Sequence, residues 1–393
     1  VRAQLERWLA VALGVLALLA LATVFVVPSL GPRSDAPADS EAVASMETLR
    51  AEVIEILDEG SVDLGDGAVQ PFQKLLLRVE SGSLAGQEIT IEVGTINVVS
   101  RDRLFRPRDT VYVERLAGQD RDVLYISDLD RTPRLVWVGL VFVAAILVLG
   151  RGKGLRSLLG MAFGIGVVFA FVLPMVVKGR DPVGVTIVGA VVLVGVSTYI
   201  VHGLRPKAHA AVIGMVASLT LTGLLAWLFV AWTRLSGFSV EESAYLVLEL
   251  GDQVNLRGLL LAGIIIGSLG VLDDICIGQA SAVYELAAAN RELTWRQLYR
   301  RSLNIGRDHV AATVNTLFLA YVGASMPLML AFMIYNEPLW RRLSREPIAE
   351  EVVRALVGSV GLLLAVPITS LAASLMVGWS RGKDQRSQLL HDR

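Results

Sequence analysis

Apolar runs of about 20 residues constrain this chain more than any other feature, because a helix rising 1.5 Å per residue needs about that many to cross a hydrocarbon core of about 30 Å. They recur at residues 8–27, 135–149, 155–177, 183–201, 210–232, 259–286, 310–335 and 352–379. The expectation is a polytopic α-helical membrane protein of about eight transmembrane helices. A hydrophobic content of 54% agrees, since a soluble domain would leave that much apolar surface in water. The first run exceeds the 7–15 residues of a signal-peptide core, and the cleavage-like Ala36-Pro37-Ala38 lies too far beyond it. Residues 1–30 therefore read as an anchor helix.

The net charge of −1 conceals an asymmetry: residues 33–131 carry about 20 acids against about 11 bases. If eight helices alternate, Arg151, Lys153, Arg156, Arg205, Lys207, the 291–307 arginines and the tail from Arg381 share one side, the cytoplasm by the positive-inside rule. Both termini are then cytoplasmic and the acidic segment is outside a bacterial cell membrane. Lys178, Arg180, Arg341, Arg342 and Arg345 run against this trend.

Residues 31–47 form a linker, rich at first in Pro, Ser, Ala and Asp. Across residues 48–131, β-favouring or alternating segments recur at 50–57, 74–79, 88–93, 110–115 and 123–127, separated by turns containing Gly and Asp. Five short strands predict a small extracytoplasmic all-β domain, an OB-like barrel before a sandwich. It is read as a cap or a module for a protein partner. Its acidity, and the lack of an aromatic stacking surface, argue against nucleic acid. Residues 134–380 form a seven-helix membrane domain and 381–393 a cytoplasmic tail. The lone Cys276 excludes an intramolecular disulfide, and four scattered histidines lack zinc-ligand spacing, so no metal or other cofactor is expected. No phosphate loop, nucleophile motif or HExxH pattern marks an enzyme.

One span differs from the rest. Residues 259–286 hold Asp273 and Asp274 far from either end, too deep for so short a side chain to reach water. A 3.6-residue step from Gly263 runs through Gly267, Gly270, Asp274 and Gly278, which places Asp274 in a stripe of glycines. Such a stripe admits another helix, water or an ion, and the reading puts the carboxylate in the protein interior. Adjacent Asp273 disfavours simultaneous ionisation of the two. Thr294 and Gln297 have capping-box spacing and start a short amphipathic helix on the inner membrane surface. In the following span Asp308, Asn315 and Thr316 offer oxygen ligands or hydrogen bonds to Asp274.

The segments GSLGVLDD, YEL and NIGRDHVAATVNTLFLAYVGASMPL, with the order anchor, β domain and membrane helices, resemble the YibE/F family of bacterial membrane proteins. The resemblance implies membrane location and a single acid at the position of Asp274; it carries no established activity. A looser similarity links the acidic helix to half of a resistance-nodulation-division or SecD/SecF-type membrane domain, where a deep carboxylate takes part in proton movement. The sequence expectation is thus a proton- or ion-coupled transporter, or a transport subunit, of unreadable substrate. The rival is a membrane scaffold whose β domain binds a partner.

Overall fold

The computed structural model describes residues 46–391, apart from 64–68, 96–103, 117–121, 240, 252–254 and 335–336. The anchor expected at 8–27 and most of the linker lie outside the described residues. The chain divides into two compact units, one of β structure and one of helices from Ile146 onward.

The β unit is one antiparallel sheet of order β3-β2-β1-β4-β5, formed by β1 (Met46–Asp63), β2 (Val69–Val79), β3 (Glu88–Val93), β4 (Thr110–Leu116) and β5 (Val123–Leu129). Alternation determines the core: Leu49, Ala51 and Val53 of β1 meet Leu75, Leu77 and Val79 of β2 and Val111 and Val113 of β4, all buried. Two register shifts in β1, between Val53 and Glu55 and between Ile56 and Asp58, accompany a change of partners. Its first part pairs with β4, while β2 follows nearly its whole length. The sheet is open rather than a closed barrel. Its edge strands β3 and β5 come within 8 Å, Cα to Cα, yet no ladder joins them. Gln73 accepts from the Phe105 backbone N–H at 2.9 Å and donates to its carbonyl at 3.2 Å.

The helices begin with α1 (Thr132–Val167), whose residues up to Ala145 belong to the β unit, a π-helical turn (Val168–Val172) and α2 (Leu173–Val177). Next come α3 (Pro182–His202), α4 (Pro206–Trp232), α5 (Glu241–Leu250) and α6 (Leu256–Ala289). The remainder is α7 (Trp295–Ala324), α8 (Met326–Ile334), α9 (Leu339–Leu343) and α10 (Glu346–His391). Among the described residues five helical stretches are long and apolar enough to cross a membrane, or six with α7 and α8 counted as one bent span. The first of them, Thr132–Val177, covers both spans expected between residues 135 and 177. Its backbone leaves the helical region at Arg151 (φ 48°, ψ −130°). A Cβ on Gly154 would lie 2.3 Å from the Ile146 carbonyl. Eight residues of straight helix would separate those groups by about 12 Å, so the chain turns back sharply here. The π-turn directly precedes Pro174, whose missing N–H releases a carbonyl one turn earlier.

The amphipathic helix expected to lie on the membrane surface is not a separate element. It runs unbroken into the next span as α7, and the chain bends by 58° only at Ser325. Gly306 stays helical because its bare face receives Gln279 and Val366. Pro327, which cannot donate and crowds the preceding turn, supplies the bend instead. The capping box at Thr294 and Gln297 is present.

Helices α4, α6 and α10 make the centre of the unit. Small residues set their separation: a Cβ on Gly214 would fall 2.2 Å from Thr369 Oγ1, and one on Gly361 2.2 Å from Thr222 Oγ1. Gly160 of α1 likewise receives Val201 and Ser197 of α3, as its GxxxG spacing with Gly164 implies.

Candidate functional site

Helix α6 carries the site because it is the most enclosed of the long apolar helices. Asn255 caps its first turn by accepting from Gly258 N–H at 2.9 Å. Arg381 caps its last by donating to the carbonyls of Ala287 and Leu293 at 2.7 and 2.8 Å. Exposed tryptophans mark both ends: Trp232 precedes the loop packed on Leu256, while Trp379 follows Gly378, against which Trp295 rests. Aromatic belts of this kind sit at membrane interfaces. Asp273 and Asp274 lie at the midpoint of the 34 residues between these ends and beside the last turns of α3, which carry Thr198 and His202.

The two acids point in different directions. Asp273 is half-buried and turns toward Thr198 of α3, whose hydroxyl is fully buried. Neither Asp273 Oδ1 nor Thr198 Oγ1 closes a hydrogen bond. Asp274 is exposed, within electrostatic reach of His202 at the end of α3. The stripe expected to bury Asp274 is open in this chain. Gly263, Gly270 and Gly278 have nothing within 4 Å of a built Cβ, and Gly267 meets only the Tyr321 hydroxyl at 3.7 Å. Of these glycines only Gly267 has a neighbour that close among the described residues.

Two contacts fix how α7 runs beside α6, antiparallel: Gly306 with Gln279 and Tyr321 with Gly267. Counting at 1.5 Å per residue, Ala312 comes level with about Asp274, Asp308 with about Gly278, and Asn315 with about Val271. Asp308 and Asn315 therefore lie about one turn to either side of Asp274 in depth, on the exposed face of α7, and neither has a partner among the described residues. Thr316 is exposed and returns its hydroxyl to its own helix at the Ala312 carbonyl, 3.1 Å away. Asp274, Asp308, Asn315 and Thr316 are exposed, spread over about two turns of depth and out of contact with one another, while Asp273 turns away toward Thr198. An ionised side chain at the centre of a bilayer costs about 3 kcal/mol even on the lenient insertion scale.

Sequence reasoning missed the residue that joins these helices. Gln279, 5% exposed, donates to the Ser302 carbonyl of α7 at 2.7 Å and to Ser370 Oγ of α10 at 2.6 Å. Cys276 accepts from Thr369 at 3.2 Å. The available signal was an amide in an apolar span, overshadowed by two acids one turn away. A cavity between α7, α8 and α10, lined in part by Phe318, Tyr321, Met329, Leu356 and Glu351, is otherwise apolar, and Glu351 is paired with Arg354. None of the glycine stripe lines it.

The fold and this site define an integral membrane protein with a small antiparallel β unit and a membrane-length helix carrying two adjacent carboxylates. The family described as YibE/F-like protein matches residues 138–379, and the chain belongs to that family. No curated protein and no solved structure matches the chain significantly.

Proposed function

We propose that the chain is a proton- or ion-coupled transporter, or the membrane subunit of one, with Asp274 as the coupling carboxylate. One observation carries this reading: an acid well inside a membrane-length helix that no cation or amide among the described residues neutralises, on a face too polar for lipid, with Asp308 and Asn315 of α7 within about one turn of its depth. Packing alone does not explain it. A carboxylate kept to fasten helices would be paired with Arg or Asn, whereas here Gln279 does the fastening.

Asp273 and Thr198 form the inner end of the same site, between α6 and α3. A proton or cation on Asp274 removes a charge from the open face, and the difference in charge selects between two packings of α6 against its neighbours. Asp308, Asn315 and Thr316 supply oxygens along the route. The end bearing Arg205, Lys207, Arg291 and Arg381 faces the cytoplasm of a bacterial cell, both termini are on that side, and the β domain is outside. Its open sheet, with β3 and β5 side by side, corresponds to an OB-like barrel and serves a protein partner or as a cap.

The test is ion-coupled flux in reconstituted vesicles with Asp274→Asn and Asp273→Asn. The first variant should fall to the protein-free background while eluting as folded protein, and the second should be slowed. Unchanged flux in Asp274→Asn rejects the mechanism.

A further inference from the structure

Helix α7 has a second property that the transport reading does not use. Its exposed face takes in residues 307–309, 311, 312, 315, 316 and 318–320, and within it Asp308, Ala311, Asn315 and Phe318 follow the 3.5-residue spacing of a seam between two helices in a left-handed supercoil. Nothing among the described residues covers this line. Arg307 beside it bonds only Asn304, at 3.3 Å, and forms no ion pair, and Asp308 has no partner at all among the described residues.

We propose that a second copy of the chain covers this face, pairing α7 with α7 across a two-fold axis along the membrane normal and roofing the groove that holds Asp274. Three features choose this occupant. A two-fold of that orientation keeps every residue at its own depth, so the two Asp308 meet at the seam with both Arg307 beside them and the four charges balance. It also brings Asn315 to Asn315, and an amide is its own complement, both donor and acceptor. Ala311 and Ala312 leave room for close approach. The chain's own run at 8–27 is the other candidate. It holds only Ala, Leu, Val, Gly, Thr, Phe and Trp, and would leave Arg307, Asp308 and Asn315 without polar partners.

The proposal does not depend on transport, and flux measured in the same membranes keeps the two readings separate. Cys276 is fully buried, so the wild-type chain serves as the blank for oxidative cross-linking in membranes. Ala311→Cys should give a covalent dimer, whereas Leu224→Cys, on the exposed side of α4, should not. Arg307→Asp should lower the Ala311→Cys dimer about tenfold, the effect of a 1.4 kcal/mol change in association. Arg307→Asp with Asp308→Arg should restore it. Three results each overturn the proposal: equal cross-linking at Leu224→Cys, no dimer at Ala311→Cys, or a link within one chain between Ala311→Cys and Leu18→Cys. The last would show that the first apolar run lies on this face.

Discussion

Two stripes of small residues run through the helical unit, and they behave differently. Where α4 crosses α10, Gly214 receives Thr369 and Gly361 receives Thr222, and a methyl group at either glycine would collide at 2.2 Å. On α6 the spacing is as regular, yet Gly263, Gly270 and Gly278 face open space with Asp274 among them. The closed stripe has no charged group in it. The difference teaches that a glycine row permits close approach without causing it. Approach occurs where the opposing side chain can satisfy its own polar atom within its helix, as Thr222 does with the Ser218 carbonyl at 2.8 Å. A carboxylate in the row instead keeps the face for a polar partner.

The comparison would break most visibly if both stripes answered alike to added bulk. Gly361→Leu should destabilise the protein by about 3 kcal/mol or more through overpacking, and Gly270→Leu should stay within about 1 kcal/mol; thermal unfolding in detergent measures both. Comparable losses would mean the α6 stripe is closed as well. Gln279→Leu comes next. It removes two interhelical hydrogen bonds at the join between α6, α7 and α10 and should cost about 1–2 kcal/mol by the same assay. Arg381→Ala should cost about 1 kcal/mol or less, read as faster hydrogen exchange in the last turn of α6.

The smallest effect concerns the β unit. Hydrogen bonds from Thr132, with Arg50 3.1 Å away, hold the Asp130 carboxyl below its ordinary value of 3.8. A lowered value means that stability is present in full above the ordinary value and is lost as the pH falls through the folded one. Exchange of the β1–β4 ladder should therefore quicken below about pH 4, and less so in Asp130→Asn, whose amide does not titrate. Equal acid sensitivity in the two proteins would assign the effect to other carboxylates, among them Glu47, held low by Ser83 and Arg115.

Much of this was legible in the residues. Alternation located all five strands, because the period of two follows from burying one face of a sheet. The capping box began α7 where its spacing required. The 3.6 period put Asp274 on the glycine face and Asp273 off it, but the interior it assigned to Asp274 is an exposed face. Asp273 faces Thr198 and Asp274 faces outward because α3, α7 and α10 are arranged by contacts remote in sequence. The continuity of α7 through Gly306 escaped notice for the same reason, since the glycine is needed by Gln279 on another helix and does not mark a break. Closure of the sheet depends on how far β3 and β5 curl, which strand patterning does not encode.

The central claim is that Asp274 faces a polar route through the membrane and not lipid. The direct test is modification of Asp274→Cys by a charged, membrane-impermeant thiol reagent added to either side of oriented vesicles, with buried Cys276 in the wild-type chain as the blank. The account predicts reaction from at least one side, at a rate well above that of Leu224→Cys on the lipid face. No reaction from either side would contradict it.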